Sequence, residues 1–133
     1  MTDKIVLAEE VEGVKDPRGK QTWGGFDGYR VKTERQDVYM LISNGQNCCE
    51  NWGYATSEDN LEDFIGANLI SVSVTNSKLE TLEIPEIYEG DVMFCTLETD
   101  RGPLQFAVYN EHNGYYGHTA LIVSQDLNME QVL

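Results

Sequence analysis

The stretch Tyr29-Arg-Val-Lys-Thr-Glu-Arg-Gln-Asp-Val-Tyr-Met-Leu-Ile-Ser43 decides the fold. Its first part alternates. Tyr29, Val31 and Thr33 point one way and Arg30, Lys32 and Glu34 the other, which is the period of a half-buried strand. Its second part, Asp37 to Ser43, is apolar on both faces and predicts a central strand. Only Arg35-Gln36 separates the two, so they pair as an antiparallel hairpin.

Working outward, the same reasoning predicts further strands. Leu69–Val74 puts Ile70, Val72 and Val74 inward. Asp91–Thr99 and Leu104–Asn110 are joined by a turn at Asp100-Arg-Gly-Pro103, and Ala120–Ser124 follows. Asn44-Gly45 ends the central strand in a turn. A short helix is expected over Glu58–Ile65, with Ser57 as N-cap, Leu61, Phe64 and Ile65 as its apolar stripe, and Gly66 closing it. Connections this short do not allow parallel crossovers. The expected fold is therefore α+β: a single domain, mainly antiparallel β-sheet, with one or two short helices. Residues 1–28, which hold turn clusters at Lys15–Lys20 and Gly24–Gly28, read as an irregular N-terminal segment. Residues 29–124 read as the β-rich domain, and 125–133 as a C-terminal tail.

The charge is lopsided. The 133 residues carry nine Lys/Arg against 23 Asp/Glu, a formal net charge of −14. Residues 1–35 hold seven bases and seven acids, so residues 36–133 carry the whole excess. Such a surface repels phosphate backbones and anionic membranes and suits a basic protein partner, a cation or simple solubility. Two stretches concentrate it: four acids and no base in Ser57–Asp63, and seven acids with no Lys or Arg in Glu80–Asp100. The candidate partner contacts are Glu58, Asp59, Glu62 and Asp63 in the first, and Glu83, Glu86, Glu89 and Asp91 in the second. The bland reading is a solvated face. The sharper one is a surface that imitates a nucleic-acid backbone and docks in a basic channel. No run approaches the roughly 18 apolar residues of a spanning helix. Three cysteines, two of them adjacent, do not form a disulfide framework, so a cytoplasmic setting with reduced thiols is expected.

Two constellations can carry chemistry: Ser43-Asn-Gly-Gln-Asn-Cys-Cys-Glu-Asn-Trp-Gly53 and Tyr109-Asn-Glu-His-Asn-Gly-Tyr-Tyr-Gly-His118. Between them they hold two of three Cys, both His, one of two Trp and three of seven Tyr. Thiolate and imidazole are the preferred ligands of zinc, which makes Cys48, Cys49, His112 and His118 the candidate metal ligands. Adjacent cysteines on an extended backbone point apart, so one binds directly, or both bind where the backbone turns. Glu50 or Asp27 can add an oxygen. Against this stands the reading that the cysteines are small core residues and the histidines hydrogen-bond within loops. A Cys–His nucleophile, a strained vicinal disulfide, and a nucleotide stacked on Tyr115, Tyr116 and Trp52 are alternatives of lower weight. The G-x-S-x-G, P-loop and G-x-G-x-x-G signatures are absent from the sequence.

The segments 43–54, 57–67 and 104–118, with their complete Cys-Cys-Glu-x-Trp-Gly and His-Asn-Gly-Tyr-Tyr-Gly-His motifs, resemble a family of small proteins from phages, prophages and chromosomes of Gram-positive bacteria. The resemblance runs from about Phe26 to Val123, and the family's Cys and His positions fall on Cys48, Cys49, His112 and His118. Small size, acidity and phage setting look like those of counter-defence proteins, among which anti-CRISPR proteins are best known. The resemblance implies a non-enzymatic inhibitor in the host bacterial cytoplasm. It would bind a basic host protein, a type II CRISPR effector nuclease, and block nucleic-acid loading without touching nucleic acid or membrane itself. Zinc would then be structural. Sequestration of a nucleotide signal, or a small Cys/His hydrolase, are the rival functions.

Overall fold

A computed structural model describes residues 3–19, 24–45, 51–58, 60–78, 91–111, 118–125 and 127–133. Among the described residues, nine strands form two antiparallel sheets. The first contains β1 (Ile5–Val14), β2 (Phe26–Thr33), β3 (Asp37–Ser43), β8 (Thr119–Val123) and β9 (Asn128–Val132), side by side in the order β1-β2-β3-β8-β9. The second is ordered β4-β7-β6-β5, from β4 (Asn51–Thr56), β7 (Gly102–Glu111), β6 (Asp91–Thr99) and β5 (Leu69–Lys78). One core lies between them: Val31, Val38, Met40, Ile42 and Ile122 of the first sheet meet Met93, Cys95, Leu97, Leu104, Phe106 and Val108 of the second. This is a β-sandwich. The single antiparallel β domain anticipated from the sequence is what forms, and among the described residues its helical content is one 3-10 turn at Leu61–Phe64. No helix among the described residues is long and apolar enough to cross a membrane.

The hairpin that decides the fold has the expected geometry. Lys32 faces Asp37, Val31 faces Val38 and Gly28 faces Leu41. β3 is third of five, and both of its faces are covered. Val38, Met40 and Ile42 enter the sandwich, while Leu41 joins Phe26 and Leu121 in a buried cluster on the other side of the sheet. Each such buried side chain contributes about 1.5–3 kcal/mol by leaving water.

Four expectations need correction. The first concerns residues 1–28, which are not irregular throughout: Ile5–Val14 is a ten-residue strand paired with β2, and β2 itself begins at Phe26. Register shifts between Ile5 and Leu7 and between Val11 and Val14 break its two-residue period, which is what a bulge does to a pattern. Second, the C-terminal tail contains β9, a strand with no buried side chain that is held by its ladder to β8. Third, the helix over Glu58–Ile65 is shorter than expected. Ser57 is not its cap, because Ser57 still belongs to the β4–β7 junction: its N–H donates to Gln105 O (2.9 Å) and its Oγ accepts from Gln105 N–H (3.1 Å). Asn60 caps instead, accepting from the Glu62 N–H at 3.1 Å; Gly66, with φ of 93°, closes the turn as anticipated. Fourth, Ile70 is not inward but 69% exposed. A bulge between Leu69 and Ser71 resets the alternation, so Leu69, Val72 and Val74 face the core.

Cys95, on β6, is fully buried and burial pushes its thiol from an ordinary 9.0 up to about 12. Burial also raises the Tyr29 hydroxyl. Both groups are neutral in the fold and ionise more easily once unfolded. The stability this contributes is present below pH 9 and is lost as pH rises through the folded value. Thiol reagents at neutral pH should leave Cys95 intact in the native protein, read by mass-spectrometric peptide mapping, and label it after denaturation. Rapid native labelling would contradict the packing.

Candidate functional site

His118 lies where the chain passes from one sheet to the other. Residues 44–50 leave β3 of the first sheet for β4 of the second; residues 112–118 leave β7 of the second for β8 of the first. The bracketing residues are neighbours: Asn51 faces Glu111 and Trp52 faces Asn110. The ends of β5 and β6 lie on the same side, since Lys78 faces Asp91 and Asp91 faces Asn110. The described residues Asn51, Lys78, Asp91 and Glu111 therefore lie together at one end of the second sheet.

His118 is the candidate ligand whose surroundings are defined. It is 2% exposed. Its Nδ1 lies 2.6 Å from the Ser43 carbonyl oxygen. A carbonyl only accepts, so Nδ1 carries a proton, and in the neutral ring Nε2 is then the nitrogen with the lone pair. The Ser43 Oγ lies 3.3 Å from the same Nδ1 and accepts from the Thr119 N–H at 3.1 Å. Trp52 stacks on the imidazole, with centroids 5.3 Å apart and planes 28° apart. Behind the ring, His118 and Leu133 exchange backbone hydrogen bonds of 3.1 and 2.8 Å, and the buried Asn110 donates its Nδ2–H to Leu133 O at 3.0 Å. The imidazole is therefore held by β3 and β4, and the His118 backbone by the residue after β9.

Cys48, Cys49, His112, Glu50, Tyr115 and Tyr116 lie outside the described residues, as do Asp59, Glu83, Glu86 and Glu89. Asp27 is placed and is engaged: its Oδ1 accepts from the Gly13 N–H at 2.9 Å and from Asn44 Nδ2–H at 3.0 Å. Among the described residues, no group of three His, Cys, Asp or Glu converges on a point that can hold a metal ion. Trp52, considered for base stacking, already has its ring against His118.

Of the acidic contacts, Glu62 and Asp63 are exposed on the 3-10 turn, Glu58 is half-buried, and Asp91 opens β6. The turn is not free of bases, as the local sequence suggested. Arg101, from the β6–β7 hairpin, donates Nη1–H to Asp63 O (2.6 Å) and Ile65 O (3.0 Å). Beside it, the Asp100 carboxyl is held below its ordinary value, first by the Asn68 backbone N–H and then by the Asn68 side-chain amide.

Sequence reading missed one polar centre altogether. Asp16, whose side chain is 0% exposed, pairs with Arg18 at 2.7 Å, and Arg18 also reaches Glu130 of β9 at 2.7 Å. Arg18 further donates to Asn128 Oδ1 at 3.2 Å. The β1–β2 connection is thereby tied to the far edge of the first sheet. The only sequence signal is the Asp-Pro-Arg-Gly turn, which the Gly19 N–H to Asp16 O bond (3.0 Å) bears out.

Residues 4–122 match the family described as Domain of unknown function (DUF7448), and the chain belongs to that family. The match begins at Lys4, so it takes in β1 as well as the motif segments. No curated protein and no solved structure matches the chain.

Proposed function

We propose that this DUF7448-family protein is a counter-defence inhibitor of the anti-CRISPR kind, acting in the cytoplasm of a bacterial host by binding rather than by turnover. Its partner is a basic protein, a type II CRISPR effector nuclease, whose nucleic-acid channel the acidic surface occupies. The observation that carries this reading is the confinement of the whole −14 to residues 36–133. Glu62, Asp63, Glu98 and Asp100 stand exposed within that part. Carboxylates fixed on a rigid sandwich offer a basic groove a preorganised array and steer association. Affinity for the purified nuclease should therefore fall steeply from low to high salt. Tight binding that ignores salt would contradict the electrostatic mechanism.

Zinc held by Cys48, Cys49, His112 and His118 is part of the same proposal, in a structural role that ties the two crossover segments together. The support is the His118 tautomer. A backbone carbonyl on Nδ1 and a lone pair on Nε2 is the arrangement in which histidine ligates zinc. Elemental analysis of protein purified without added metal should find about one zinc per chain. Metal-free protein that is fully folded would count against it.

A further inference from the structure

Among the described residues the two sheets have four edge strands, and they differ in chemistry. β1 carries Glu9, Glu10 and Glu12, and β9 carries Glu130. Charges on an edge discourage another chain from pairing with it. β4 is uncharged but only six residues long. β5 is ten residues long, and Leu69 to Ser77 contains no charged residue. Its first residue is covered, since the Leu69 N–H donates to Asp3 O at 2.9 Å. Past the bulge, Ser71 and Ser73 are exposed, and Ile70 projects into solvent.

A groove of about 290 Å³ runs along this edge. Leu69–Val72 form one wall. The hairpin residues Arg35-Gln36 and the β8–β9 residues Ser124-Gln125 form the other, with Asp3 at one end. Hydrogen bonds tie the opposite wall: Gln125 N–H donates to Gln36 Oε1 at 3.0 Å, and Arg35 N–H donates to Asp3 Oδ1 at 3.2 Å. Glu98 stands exposed directly across the ladder from Ser71, and Asp100 holds Asn68 just before the strand. Arg101, the base of the β6–β7 hairpin, is turned onto the carbonyls of Asp63 and Ile65, and Arg35 is the base on the groove wall, beside Asp3.

We infer that the β5 edge receives an extended, basic segment of the partner protein, which adds as a strand along Ser71–Val74 with its basic side chains toward Glu98 and Asp100. Main-chain hydrogen bonds would supply affinity, and the carboxylates would supply the preference for basic residues. A second copy of this chain suits the edge poorly, because pairing would bring two surfaces of the same strongly negative charge together. The inference rests on the reading of a basic protein partner and specifies how that partner is held.

The test separates the two. The free protein is titrated with a synthetic peptide of alternating lysine and valine, and with its glutamate–valine counterpart, while backbone amides are followed by NMR. The lysine peptide should shift Ser71–Val74, and hydrogen exchange there should slow at least about tenfold. The glutamate peptide should do neither. Ile70→Lys and Ser73→Lys, both at exposed positions, should abolish the response with an unchanged melting temperature. No shift at β5, a response centred on another edge, or a dimer dissolved by Ser73→Lys would overturn the inference. A nuclease that fails to bind while the lysine peptide still maps to β5 would defeat the functional reading alone. A nuclease that binds without protecting Ser71–Val74 would defeat the β5 inference alone.

Discussion

Replacing Gly28 by alanine should cost about 4 kcal/mol of folding stability, close to the limit a domain of this size tolerates. Gly28 is the third residue of β2, between Val11 and Leu41, with φ of 151°. A Cβ there would be driven into the Met40 carbonyl oxygen and crowd Leu41 Cα. Both obstacles are backbone atoms in the ladder of the deciding hairpin, so no rotamer change relieves them. The chain would have to open the β2–β3 pairing or abandon the backbone angle, and each is expensive. Gly45 is the matched control. A Cβ there meets nothing within 4 Å, so Gly45→Ala should stay within about 0.5 kcal/mol of the parent. Urea titrations of the two variants decide the matter. Equal midpoints would mean that β2 does not approach β3 as closely as described.

Arg18→Met should cost about 3 kcal/mol, through a different mechanism. The substitution keeps the aliphatic stem and removes the guanidinium. Asp16 then keeps its place, with a side chain that is 0% exposed, but loses its paired cation. Removing one member of a buried pair is costly because the other charge stays behind. The double variant Asp16→Asn, Arg18→Met should recover much of the loss. Glu130→Gln alone should cost no more than about 1 kcal/mol, since the Glu130 side chain is 48% exposed. Hydrogen exchange adds a readout of location. β9 has no buried side chain of its own, so amides over Asn128–Val132 should exchange faster in Arg18→Met than those of β3. If they do not, Arg18 does not anchor that edge.

What was legible in the sequence follows from which interactions keep a simple period. β2, β3, β6 and β7 alternate or run apolar because their ladders to one another keep an unbroken register, with β3 covered on both faces, and all four were found within a few residues. β1 has the same kind of composition, but two register shifts scramble its alternation. β5 was found with one side chain reversed, since a bulge occupies one residue and flips the ones before it. β4 is short and carries Gly53 between Trp52 and Tyr54; the Tyr109 ring lies over that glycine, a contact no periodicity encodes. β9 has no apolar face to read at all. At the site, the sequence singled out His118 and Trp52 because they are rare residues in turn-rich segments. Their mutual stacking, and the Ser43 carbonyl that sets the imidazole tautomer, depend on strands 75 and 66 residues apart in sequence from the histidine. The Asp16–Arg18–Glu130 centre was hidden for the same reason: 112 residues separate Arg18 from Glu130.

The acidic surface and the crossover end of the sandwich make one claim together, that this chain works by occupying a basic groove on another protein. Target-DNA cleavage by a purified type II effector nuclease, with this protein added before the guide RNA, tests it most directly. The account predicts suppression of cleavage at near-equimolar protein, relieved by raising salt and weakened by Glu62→Lys with Asp63→Lys. Full cleavage at saturating protein, at low salt and whatever the order of addition, would contradict it.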